Sequence, residues 1–91
     1  MAQLALEAMW AARKAADMGN ANAVIDAAVA GQMGLAAVEG AALNVRVNLI
    51  SMKDTATAQE MRQKIGVLVS EARALHAEIV SIAQTRAGLS Q

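Results

Sequence analysis

"GNANAVIDAAVAGQMGLAAVEGAALNVRVNL", residues 19–49, decides the architecture of this chain. It lacks proline and is mostly Ala, Val, Leu and Gly, with Ala the strongest helix former. It predicts one helix from about Asn22 to Ile50, roughly 45 Å long at 1.5 Å per residue. At about 100° per residue, three lines of side chains separate on that helix. Asp26, Ala30, Met33, Ala37, Gly40, Asn44 and Asn48 share one face. Gln32, Glu39 and Arg46 lie nearly opposite and read as the solvated line. Ala27, Gly31, Gly34, Val38, Ala41 and Val45 form a small, apolar stripe. A helical Gly costs about 1 kcal/mol relative to Ala, so two on one stripe predict a backbone pressed against another helix. Asp26, Asn44 and Asn48 are therefore expected away from solvent, where an unpaired polar group costs roughly 1–3 kcal/mol. Two explanations stay open. They bond to loop backbones or a symmetry-related copy, or they line a cleft for a polar ligand.

Working outward, a first helix spans about residues 2–18 and stops at Gly19. Gln3, Glu7, Lys14 and Asp17 form its polar stripe, with Trp10 in the middle. An indole placed among charges predicts cover by another helix or chain. In the turn "GNAN", residues 19–22, Asn22 is the expected N-cap of the second helix. After "SMKDTAT", residues 51–57, Thr57 and Glu60 have the spacing of a capping box. A third helix then runs from about 55 to 87, ahead of Gly88. Met61, Ile65, Leu68, Ala72, Leu75, Ile79 and Ile82 alternate steps of four and three, the seam of a helix packed at a shallow angle. His76 falls on a second stripe with Val69, Val80 and Ala83 and reads as structural. The fold class is all-α: an antiparallel bundle of three long helices in a single domain, 1–91, completed by oligomerisation.

Composition narrows the function. Formal charge is zero over 91 residues, and Trp10 is the sole aromatic. That argues against nucleic-acid binding, which needs a basic stripe or stacking rings. No Cys is present, and one His cannot build a zinc site, so no metal is expected. The first residues show no basic segment leading into an apolar core, hence no signal peptide. The charge-free run from Ala27 to Val38 is shorter than the ~20 residues a bilayer requires. The expectation is a cytoplasmic protein with neither nucleic acid nor membrane as partner.

The stretch from Gly19 to Asp54 resembles the C-terminal half of formiminotetrahydrofolate cyclodeaminases and methenyltetrahydrofolate cyclohydrolases. That family carries "GN.N..SDAGVA" at a turn and helix start, then an Ala-rich helix ending in "GALLNV.INL". The matching residues here are Gly19, Asn20, Asn22, Asp26, Ala27, Val29 and Ala30, then Gly40, Ala41, Leu43, Asn44, Val45, Asn48 and Leu49. Ile25 stands for the usual Ser and Ala28 for the usual Gly. The resemblance implies a helical bundle that works as a homo-oligomer on the one-carbon unit of tetrahydrofolate. It implies no prosthetic group, and a tetrahydrofolate derivative as substrate or ligand. Asn22, Asp26, Asn44 and Asn48 carry over as substrate-binding candidates.

The chain departs from the family as well. The family's Gly-rich segment and the helix bearing its catalytic Asp have no counterpart here. The catalytic residue is thus unknown, and Asp26 could substitute only if desolvated in a cleft. Two functions follow: a truncated family member acting on or binding one-carbon tetrahydrofolate adducts once a companion protein supplies the missing half, or a non-catalytic helical interaction module. Trp10, Met33 and Gly40 are the expected interface residues. The second helix carries apolar side chains over much of its circumference. If about four stayed exposed, at about 1.5–3 kcal/mol each, roughly 6–12 kcal/mol of burial would be forfeited. A small domain has only about 5–15 kcal/mol of stability, so a homo-oligomer, most simply a dimer, is expected.

Overall fold

The computed structural model describes residues 2–86 and 88. It contains three helices, α1 (Ala2–Met18), α2 (Ala21–Leu49) and α3 (Thr55–Arg86), and no strand among the described residues. Each helix packs on both others in an elongated bundle of 51 × 22 × 15 Å. The predicted third-helix end at 87 lies outside the described residues, while Gly88 has a φ of 69°, the left-handed conformation that suits Gly just past a helix.

Both N-caps differ from the sequence expectation by a few residues. Asn20, not Asn22, caps α2: its backbone is extended and its Oδ1 accepts from the Ala23 N–H at 3.0 Å. A cap residue must sit outside the helix to aim its side chain back at the first free N–H groups, and Asn22 is already inside. Asp54, not Thr57, caps α3. Its Oδ1 accepts from the Thr57 N–H at 3.0 Å and its Oδ2 from the Thr57 hydroxyl at 2.7 Å. Glu60 turns instead to Lys64 at 3.4 Å.

The Thr57 hydroxyl, then the Thr57 N–H, hold the Asp54 carboxyl below its ordinary range. A depressed folded pKa contributes stability above the unfolded value of 3.8 and loses it as pH falls through the folded value. Asp54→Asn is therefore expected to flatten the acid limb of stability below about pH 4, measured by urea unfolding across pH.

The core has two parts. Leu6 and Met9 of α1, Val38 and Ala42 of α2, and Ile65, Val69, Ala72 and Leu75 of α3 form the larger. The smaller is built on Ala12, Ala16, Ala27 and Ile79. The predicted α3 seam is largely present: Ile65, Ala72, Leu75 and Ile79 are buried, Leu68 and Ile82 half-buried, and Met61 exposed. His76 is half-buried beside it.

The two α2 glycines sit where helices touch. A Cβ on Gly34 would overlap the Met9 side chain, and one on Gly31 would come within 2.9 Å of Ile79 Cδ1. By contrast, a Cβ on Gly66, in the middle of α3, meets nothing within 4 Å. Gly66→Ala should then gain about 1 kcal/mol through helix propensity, seen as a higher melting temperature.

Long-range polar contacts tie the outer surfaces. The Trp10 indole N–H donates to Glu71 Oε2 at 2.8 Å, but 47% of the residue stays exposed, so the expected cover of the ring is not supplied within the chain. Arg13 bonds Glu78 at 2.7 Å and also pairs with Asp17, contacts that hold its guanidinium above its ordinary pKa, Glu78 contributing most. Arg73 of α3 reaches Glu39 of α2 at 2.9 Å.

The short charge-free run in α2 understates how apolar the whole helix is. By length and composition alone, Asn22–Leu49 is long and apolar enough to cross a membrane. In the bundle its Val24, Ala27, Val38, Ala42 and Leu49 are buried within the chain.

Candidate functional site

The side of α2 turned from α1 and α3 carries the substrate-binding and interface candidates of that helix. Asn22, Asp26, Met33, Gly40, Asn44 and Asn48 are all exposed. No polar or charged side chain is buried among the described residues. The expectation that Asp26, Asn44 and Asn48 face away from solvent is therefore overturned for the single chain. Angle explains it. Val38, at the centre of the buried stripe, lies about 120° around the helix from Asp26, and two neighbouring helices cover less than half of the circumference.

The four polar candidates do not form one site within one chain. Asn22 and Asp26 are neighbours at the start of α2, and Asn44 and Asn48 near its end. The 18 residues between Asp26 and Asn44 amount to about 27 Å. Asn44 and Asn48 share a shallow, open groove with Ala37, Gly40, Ala41 and Val45. Small residues form its floor, and two amides supply donors and acceptors at one end. Asp26 lies outside that groove and accepts no hydrogen bond from a described residue. As an exposed carboxylate it lacks the desolvation required for the catalytic role considered for it.

Periodicity did not reveal two further depressions. One, between α2 and α3, has Glu39, Arg46 and Arg73 around Ala42, Leu43 and Val69. Arg73 is 34 positions from Glu39, so no local pattern predicts the pair. The Arg46 guanidinium could donate to a ligand carboxylate, while that of Arg73 already donates to Glu39. The other flanks Trp10, with Ala11, Arg13, Lys14 and Glu78. Among the described residues, no three His, Cys, Asp or Glu side chains come together as a metal site.

Comparison with known proteins places this arrangement. Residues 1–66 match the family model described as formiminotransferase-cyclodeaminase. A methenyltetrahydrofolate cyclohydrolase from Methylorubrum extorquens is 37% identical over 71 residues. The alignment covers 78% of this chain and 34% of that protein, so the chain spans about a third of the curated relative it matches. No solved structure matches. The stretch matched by the family model takes in α1, all of α2 and the first third of α3, including every candidate residue on the open face, and the chain belongs to the formiminotransferase-cyclodeaminase family.

Proposed function

We propose that this chain contributes part of a binding site for a one-carbon adduct of tetrahydrofolate, and that turnover requires a further protein surface over the open face of α2. One observation carries the proposal. Asn22, Asp26, Asn44 and Asn48, four of the polar residues shared with the family pattern, all lie on the side of α2 that the bundle leaves uncovered. A folate offers a flat pterin with polar edges and a carboxylate tail. Amides of Asn44 and Asn48 suit the ring edges, and small residues in their groove allow a flat ring to approach.

The non-catalytic interaction module is supported by a different observation. Val29, Met33, Leu43, Val47 and Ile50 on α2 are each more than half exposed, a surface suited to another helix.

Calorimetric titration with 5-formyltetrahydrofolate, a stable one-carbon adduct, distinguishes the two. Saturable binding is expected, with Asn44→Ala raising Kd about 5- to 10-fold through loss of a hydrogen bond. Absence of saturable heat, or an Asn44→Ala variant that binds as well as the parent, would leave the interaction module as the better account.

A further inference from the structure

We infer that the open face of α2 docks against α2 of a second copy, antiparallel and centred on Ala36, so that Asp26 of each copy meets Asn44 and Asn48 of the other. The inference rests on the reading of these residues as site residues given above. It adds that the site is incomplete within one chain and is assembled from two.

Spacing carries it. The exposed apolar residues Ile25, Val29, Met33, Leu43, Val47 and Ile50, with Ala36 and Gly40, form a line advancing by threes and fours. That is the seam of a helix that packs on another helix at a shallow angle. The line is nearly palindromic. A two-fold axis at Ala36 maps residue i onto 72 − i of the partner, so Ile25 meets Val47, Val29 meets Leu43, and Ala36 meets itself. Met33 falls within one residue of Gly40 of the partner. Ala36 and Gly40 near the axis are small, and Gly40 has open space where a Cβ would stand, so the two backbones can approach closely.

The polar flank follows the same symmetry independently. In an antiparallel pair, each flank of one helix meets the same flank of the other. The axis places Asp26 level with position 46 of the partner, midway between Asn44 and Asn48 on that flank, about 3 Å along the axis from each. A carboxylate accepts only, and each Asn amide has two N–H donors, so the pairing is chemically complementary. Asn22 falls within two residues of Asn48 of the partner by the same rule. Groups about 27 Å apart in one chain are thereby gathered into two equal clusters, one at each end of the pair. A parallel pairing would leave the two Asp26 side chains level but on opposite flanks of the seam, and about 27 Å from Asn44 of the partner subunit.

The chain has no Cys, so introduced thiols report this geometry directly. Asp26→Cys combined with Asn44→Cys, mildly oxidised, should give a covalent dimer whose peptide map joins position 26 to position 44. Within one chain that bond is impossible, because bridged Cα atoms lie within about 7 Å. Light scattering on the unmodified chain should give twice the 9.4 kDa mass. Val29→Asp with Leu43→Asp, both at exposed positions, should give a monomer of unchanged helix content. Linkage of 26 to 26 or of 44 to 44, a monomeric parent chain, or a dimer that survives the double Asp change would overturn the inference. None of these measurements needs folate, so they fail or succeed independently of the 5-formyltetrahydrofolate titration.

Discussion

Ile79→Ala is expected to lower stability by about 2–5 kcal/mol, and to lower the melting temperature by on the order of 10–30 °C, the largest effect of any single truncation in this chain. Ile79 is fully buried in the smaller core cluster, whose other buried members are Ala12, Ala16 and Ala27. It is the one large side chain in that set. Its Cδ1 lies over the backbone of Gly31, where no side chain exists to swing into the space. Alanines cannot change rotamer to fill a hole, and half-buried Ile82 is the one larger side chain packed against the cluster, so most of the cavity should persist, which moves a truncation toward the upper end of the range. Met9→Ala removes a comparable volume from the larger cluster. There Leu6, Leu75 and partly buried Leu35 and Leu68 can shift, and a smaller loss is expected. Helix content during thermal melting, at one fixed protein concentration, checks both. A loss for Ile79→Ala below that for Met9→Ala would contradict this account of the Ala-rich cluster.

The purified chain is expected to hydrolyse methenyltetrahydrofolate no faster than buffer, and Asp26→Ala is expected to change nothing. General acid–base catalysis contributes about 10²–10⁴-fold when a group of suitable pKa is held within hydrogen-bond reach of the reacting proton. Asp26 is exposed, lies outside the groove of Asn44 and Asn48, and has no described side chain donating to it. In a single chain nothing covers the open face, so developing charge would be screened as in solution, and in the pair inferred above the Asp26 carboxylate is engaged by the amides of Asn44 and Asn48 of the partner subunit. Decay of the methenyl absorbance checks this across a range of chain concentrations. A rate proportional to protein and abolished by Asp26→Ala would show that the residue is catalytic after all, and that whatever covers α2 desolvates it.

Much of the fold was legible in the residues alone. Ala-rich composition, the Gly19 stop, the α3 seam and the absence of Pro gave three helices with ends within a residue or two of those observed. Gly31 and Gly34 marked the contact face of α2, because a residue that weakens a helix belongs where a backbone must come close. The caps were misplaced by two or three residues since Asn20 and Asn22, or Asp54 and Thr57, are both competent cap types, and only backbone geometry separates them. The family was also legible, through Gly, Asn and Asp at fixed spacings, and residues 1–66 match its model.

Tertiary structure alone decided which side of α2 is open. Periodicity relates side chains on one helix by angle, but α2 is apolar over most of its circumference, so two different faces qualify as core by composition. The choice came from the other helices: Met9 and Ile79 fit the backbone at Gly34 and Gly31, whereas at Gly40, on the side of Val29, Met33 and Leu43, no neighbour within the chain comes within 4 Å of where a Cβ would stand. Once α1 and α3 occupied that side, Asp26, Asn44 and Asn48 were left in solvent. Pairs such as Trp10 with Glu71 and Glu39 with Arg73 followed from the same choice, being 61 and 34 residues apart and beyond the reach of any local pattern. A helix with a narrow apolar stripe names its own buried side, whereas one with two apolar sides leaves that to the shape of its neighbours.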